Sequence, residues 1–325
     1  MPSYATKLTA TLKYGACLLL LVLAACSDAE KPATAFRVAN QGLLSAAYSA
    51  DGQLLFIGAI TEGGSLWRSA APARLYDWNH ATDEPSAIQA AAFSADGKLA
   101  ATAAGDSLAL WSTDTGASSR YWHSPTPITA VDISANGAYA LLGQENNTAV
   151  LFNLERGGVV GSLRHEDSVS GIAMDDQATL ALTGSVDGKV RVWSLATGKV
   201  NREWLLPSPI SLVQLSPSGR LALAAGSRAA VGLWDTGTGE LQLQLHQQNP
   251  AVTIATFSED ESQLLVGTAR EMVELWDLQT GTQIKSWHLP GDGPWQKAVV
   301  VALAWSSTPG QFLATAANGF TYTLE

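Results

Sequence analysis

The sequence predicts an all-β chain closed into a ring of seven four-stranded blades, a β-propeller. Three observations predict it. First, an aromatic residue recurs at a near-fixed interval: Trp67, Trp111, Phe152, Trp193, Trp234 and Trp276 stand 44, 41, 41, 41 and 42 residues apart. Second, turn signals recur in step with it. A glycine follows five residues after each of the last five aromatics (Gly116, Gly157, Gly198, Gly239, Gly281). Upstream lie SADG at 49–52 and 94–97, SANG at 134–137 and SPSG at 216–219. Asp-Gly and Asn-Gly supply the positive φ that tight hairpins need. Third, apolar and polar residues alternate between the turns, as in ITAVDIS (128–134) and KVRVWSL (189–195), which is the period of a strand. A repeat of about 41 residues holding four short strands makes one propeller blade.

The units begin near Leu43, Ile88, Ile128, Val169, Ile210, Val252 and Val300. The seventh holds only three strands, VVALAWS (299–305), QFLATAA (311–317) and FTYTL (320–324). The spare strand lies at the other end of the chain, in TAFRVAN (34–40). Joining the two would close the ring and remove the exposed edges that invite aggregation. Two repeats end in Trp-Asp, at Trp234-Asp235 and Trp276-Asp277. On these residues the chain resembles the WD-repeat propellers over 34–325. The resemblance implies an interaction platform without catalytic activity.

The N-terminal segment is a separate domain by composition. Lys7 and Lys13 precede an apolar run, Ala16 to Ala25, that ends in Leu23-Ala24-Ala25-Cys26. Ten residues are too few to span a bilayer as a helix, and the pattern is that of a secretory signal. Leu23-Ala24-Ala25-Cys26 resembles a bacterial lipobox, which implies cleavage before Cys26 and lipidation of its thiol. The expected division is a signal at 1–25, a lipidated tether at 26–33 and the propeller at 34–325. The expected location is a bacterial cell envelope, at the outer membrane facing the periplasm, because Ser27 rather than an acid follows the cysteine. Cys26 is then the sole cysteine, so no disulfide, thiolate metal site or Cys nucleophile is expected.

Removing 1–25 takes away two Lys and no acid, moving the formal charge from −10 to −12. Such a chain has no electrostatic reason to bind nucleic acid. No nucleophile elbow, phosphate loop, zinc-type His pair or calcium loop is present. No cofactor or metal is expected, and the acids of SVDGKV (185–190) and SEDES (258–262) read as turn residues.

The five histidines, His80, His123, His165, His246 and His288, each fall near the end of a fourth strand, in different blades. By resemblance to WD repeats, such a His belongs to a buried network with Ser or Thr, Asp and Trp. The fourth unit then offers His165, Thr183, Asp187 and Trp193, and the second His80, Thr102, Asp106 and Trp111, with a turn one residue shorter. Other units depart: Phe152 stands for Trp, Leu206 for His, and Arg228 and Arg270 for Asp.

Function is therefore expected where the repeat breaks. The connections on one face, called top, vary most. The longest is LPGDGPWQKA (289–298), with Trp295 and Lys297. Arg228 and Arg270 occupy matching top positions, and an Arg fork suits carboxylates. These four residues are the candidate contacts for a partner, expected to be an envelope protein. The alternative is a small ligand, metal or enzymatic site in the central channel. The inner strands there are small and apolar, with Asp132 the main ionisable exception.

Overall fold

The computed structural model describes residues 29–70, 72–81, 84–227, 231–245, 251–293 and 296–325. Cys26 and the rest of 1–28 lie outside them, as do Arg228, His246 and Trp295.

Alternating residues and Gly-containing turns produce strands of four to seven residues throughout. The chain enters with β1 (Thr34–Arg37). Blade 1 is β2 (Leu43–Tyr48), β3 (Leu54–Ala59), β4 (Gly63–Arg68) and β5 (Ala73–Asp77). Blade 2 is β6 (Ala90–Phe93), β7 (Leu99–Ala104), β8 (Ser107–Ser112) and β9 (Ser118–His123). Blade 3 is β10 (Ile128–Ile133), β11 (Tyr139–Gln144), β12 (Thr148–Asn153) and β13 (Val159–Arg164). Blade 4 is β14 (Val169–Met174), β15 (Leu180–Ser185), β16 (Lys189–Ser194) and β17 (Lys199–Leu205). Blade 5 is β18 (Ile210–Leu215), β19 (Leu221–Gly226), β20 (Val231–Asp235) and β21 (Leu241–Gln244). Blade 6 is β22 (Val252–Phe257), β23 (Gln263–Thr268), β24 (Met272–Asp277) and β25 (Thr282–His288). Blade 7 combines β26 (Val300–Trp305), β27 (Phe312–Ala316) and β28 (Phe320–Leu324) with β1.

Every sheet is an antiparallel meander, and β1 pairs with β28 from Thr34↔Thr323 to Arg37↔Phe320. The innermost strands pack on one another around the ring, and β26 packs on β2. The fold is thus a closed seven-bladed propeller. Ahead of β1, Glu30 lies parallel to Trp287: its N–H donates to Ser286 O, its carbonyl accepts from His288, and its carboxylate pairs with Lys285 at 2.9 Å.

The core lies between blades. One cluster joins Phe56, Leu66 and Trp78 of blade 1 to Ala100, Ala109 and Trp111 of blade 2. Others fill the 4–5 and 6–7 boundaries. Each interface buries an apolar face of two sheets, the main favourable term in such a fold.

On the opposite face, called bottom, the turn after the first strand uses one mechanism in blades 1, 2, 3 and 6. Ser49 Oγ donates to Asp51 at 2.6 Å and accepts from Leu54 N–H at 2.9 Å. Ser94, Ser134 and Ser258 repeat both bonds. In blade 4 Asp175 takes the serine's place, accepting from Thr179 and Leu180. The turn needs φ near +60°, met by Gly52 (+67°) and Gly97 (+68°) but also by Ala178 and Glu261. Backbone bonds then link neighbouring turns: Ala95 to Ala135, Ala135 to Asp176 and Asp176 to Pro217, each 3.1 Å.

Candidate functional site

The top side of blade 4 holds a connected polar arrangement. Thr183, midway along β15, is fully buried. Its Oγ1 accepts from Trp193 Nε1 at 2.7 Å and lies 2.6 Å from His165 Nε2. Burial first, then the Arg191 cation, hold the His165 imidazole below its ordinary pKa, against the opposing pull of Asp187. Asp187 Oδ1 accepts from Lys189 N–H, and its Oδ2 faces His165 Nδ1 at 3.5 Å, longer than an ordinary hydrogen bond.

Arg191 extends this group to the surface. It is nearly buried in β16 and donates to Glu203 (2.7 Å), to Arg164 O (2.8 Å) and to both oxygens of Glu166 (3.0 Å). Lys189 also reaches Glu166, at 3.2 Å. Arg191, followed by Asp187 and Lys189, brings the Glu166 carboxyl down to about 2. His165, Glu166 and Asp187 place ligand-type atoms within 4.8 Å of one another. Each is already engaged by Thr183, Arg191 or a backbone N–H, which makes the group a braced corner.

Blade 2 builds the same network with one change. Trp111 Nε1 donates to Thr102 Oγ1 at 2.7 Å, and His80 Nε2 meets the same oxygen at 2.8 Å. His80 Nδ1 bonds Ser107 Oγ at 2.5 Å, not Asp106. Asp106 is exposed and faces His123 at 3.6 Å. The turn is one residue shorter than in blade 4, so Asp106 sits at its tip and Ser107 enters the buried position. Burial lowers the His80 pKa to about 4.

His123 and His288 do not occupy the network position. Each stands one residue earlier on its strand than His80 or His165 does relative to the ladder, where Leu108↔Trp122 matches Val190↔Trp204. A one-residue offset turns a side chain to the opposite face, and both rings are more than half exposed. Ser124 and Leu289 fill the inward position. In blade 5, where Leu206 stands for His, Trp204 and Trp234 stack at 5.4 Å in an apolar cluster with Leu206. In blades 1 and 6 the aromatic finds a partner two residues upstream: Trp67 donates to Ser65 and Trp276 to Glu274.

A second series of tryptophans was not anticipated. Trp78, just past β5, and Trp204 and Trp287, on fourth strands, donate across blade boundaries to Gly116 O (3.1 Å), Gly239 O (3.0 Å) and Glu325 O (3.0 Å).

Of the candidate contact residues, Arg270 and Lys297 are described, and both are exposed on the top face. Arg270 N–H donates to Thr268, as Asp187 N–H donates to Ser185, so the backbone turn is kept while the side chain changes. Among the described residues no carboxylate pairs with Arg270 or Lys297. At the boundary of blades 4 and 5, Leu205 (75% exposed) and Val186 flank a top-side groove of about 440 Å³ with Pro207 and Pro209. On the innermost strand of blade 3, Asp132 accepts from its neighbour Ile133 (2.9 Å) and from Met174 of blade 4 (2.7 Å), and burial raises its pKa to about 6.

The WD domain, G-beta repeat family matches residues 157–194, which contain Thr183, Asp187 and Trp193. Curated relatives include eukaryotic translation initiation factor 3 subunit I of Lodderomyces elongisporus, 25% identical over 181 residues (50% of this chain, 52% of the relative). An uncharacterized WD repeat-containing protein of Schizosaccharomyces pombe is 30% identical over 128 residues (39% and 42%). Autophagy-related protein 16 of Arabidopsis thaliana is 23% identical over 235 residues (69% and 44%). The chain spans about half the length, or less, of these relatives.

These relatives correct the expected location. They are proteins of eukaryotes, which have no periplasm or bacterial outer membrane, so the placement in a bacterial envelope does not stand. Among the described residues no helix is long and apolar enough to cross a membrane.

Proposed function

We propose that this chain, a seven-bladed propeller of the WD-repeat type, is a non-enzymatic scaffold that binds partner proteins through its top face. The observation that carries this reading is the contrast between the two faces. The turns after the first strands are alike in blades 1, 2, 3 and 6, and those of blades 2 to 5 are tied to one another by backbone bonds. The top connections differ from blade to blade and present Arg270 and Lys297 without ion-pair partners among the described residues. They also expose Leu205 and Val186 beside a groove. Exposed apolar side chains within a charged rim mark interaction sites, and unpaired cations select acidic partners and speed encounter. The names of the relatives, an initiation factor subunit and an autophagy-related protein, support a role within assemblies.

The test is affinity capture of the tagged full chain after cross-linking, read by mass spectrometry. The comparison variant carries Arg270→Glu, Lys297→Glu and Leu205→Asp, with Arg228→Glu and Trp295→Ala as a second set. Lys98→Glu on the bottom face is the control. A stoichiometric partner lost in the top-face variants and kept in the control supports the scaffold. Equal capture by all of them overturns it.

A further inference from the structure

Blade 3 has lost the polar network, and the loss leaves a cavity of defined shape. Ser124 N–H donates to Asp106 O as His165 N–H donates to Asn147 O, so Ser124 stands where blade 4 has His165. By ladder register, Leu142 stands for Thr183 and Phe152 for Trp193. An imidazole has become a hydroxymethyl group and an indole a phenyl ring. Leucine removes the hydroxyl that held both. Between blades 2 and 3 this leaves a cavity of about 210 Å³, lined by all three replacements together with Trp122, Val150 and Gln144.

The walls are apolar and the polar groups converge at one end. Trp122 and Phe152 meet edge to face at 5.3 Å, and Leu142 and Val150 are buried beside them. Gln144, 5% exposed, donates to Ser124 Oγ at 2.8 Å and accepts from Thr148 at 3.2 Å. Ser124 Oγ also accepts from Thr126 N–H at 3.3 Å. Neither contact uses the hydrogen of the Ser124 hydroxyl, which is free to donate. An apolar cavity of roughly 150 Å³ takes up benzene, so this one has room for two fused rings. The cavity is already formed between the two sheets, so little ordering opposes binding.

We propose that the blade 2–3 cavity binds a small planar aromatic compound of one or two fused rings bearing one polar group. The rings restore the volume of the missing imidazole and indole, and the polar group meets Ser124 and Gln144. This site lies between blades 2 and 3 and shares no residue with the contacts of the scaffold reading, on which it does not depend.

The test uses the full chain with indole and benzimidazole as probes, followed by calorimetry and by the indole N–H resonance of Trp122. Saturable one-site binding that shifts the Trp122 signal is expected. The variant Ser124→His, Leu142→Thr, Phe152→Trp installs the His, Thr and Trp of the blade 4 set and should weaken binding at least tenfold. Leu142→Phe alone, which fills the cavity with one change, should do the same and serves if the triple variant does not fold. Absence of saturable binding up to the solubility limit of both probes, or undiminished binding by a folded filled variant, overturns the proposal.

Discussion

Asp132 Oδ2 accepts the Met174 backbone N–H at 2.7 Å, joining two residues 42 positions apart across the boundary of blades 3 and 4. Burial raises this carboxyl to about 6, although the Met174 and Ile133 donors pull it down. A carboxyl raised on folding holds more protons in the fold than in the unfolded chain between about pH 4 and pH 6. Its contribution therefore favours the fold in acid and is lost as pH rises through 6. Asp132→Asn removes the titration. The wild type should lose on the order of 1–2 kcal/mol relative to this variant between about pH 4 and pH 7, as read from urea unfolding. Parallel pH profiles for the two proteins would contradict it.

His80 acts with the opposite sign in the same window. Its pKa falls to about 4 in the fold, so the unfolded chain binds the extra proton between about pH 4 and pH 6.5. Stability from this group is complete above pH 6.5 and declines as pH falls. Relative to His80→Gln, the wild type should lose roughly 2 kcal/mol on going from pH 7 to pH 4.5, after allowance for partial exposure. The two variants together should bend the pH–stability curve in opposite directions. A common shift would show that neither residue controls it.

Thr183 and Thr102 each serve an indole and an imidazole at once. Thr183→Val keeps the shape and leaves the Trp193 N–H buried without an acceptor, which costs about 1–3 kcal/mol. Thr102→Val should cost a similar amount. Ser124→Ala, in the blade that has lost the network, should cost less than either. Denaturant midpoints of the three variants give the ranking, and an equal loss at Ser124 would show that the network adds nothing beyond an ordinary hydrogen bond.

The fold was legible because its cause is periodic. A repeat of about 41 residues with alternating strands located seven units, and TAFRVAN was readable as the missing strand of the last. The buried networks were readable only in part. His123 lies one residue from the inward position, and alternation places it on the surface. Asp106 is displaced by a single deletion in a turn. Such one-residue differences are below the resolution of spacing. Trp78, Trp122, Trp204 and Trp287 did carry a signal, since they stand 44, 82 and 83 residues apart, one or two periods. Arg191 carried none: nothing in KVRVWSL marks it as the hub of two carboxylates. The blade 3 cavity was hidden for another reason. It is volume missing from Ser124, Leu142 and Phe152, and only the register brings those three positions together.

Ring closure rests on few residues. β1 lies exposed along β28, while Val38 and Ala39 behind it are buried against Leu43, Leu55 and Ile57. Glu30 adds the bonds to Ser286, His288 and Lys285 on blade 6. Deleting residues 29–40 would leave β28, FTYTL, as an open edge and uncover the core of the blade 7–1 boundary. Bare edges of apolar strands pair with other chains. The deletion should lower the melting temperature and produce concentration-dependent aggregation, seen by calorimetry and light scattering. A synthetic peptide of residues 29–40 added in excess should restore both, because ligand binding to the folded form raises its stability by mass action. The same peptide with Glu30→Lys should restore less, since it would face Lys285 with a like charge. A deletion variant as stable and soluble as the full chain would show that the ring is held by the packing of β26 on β2 alone.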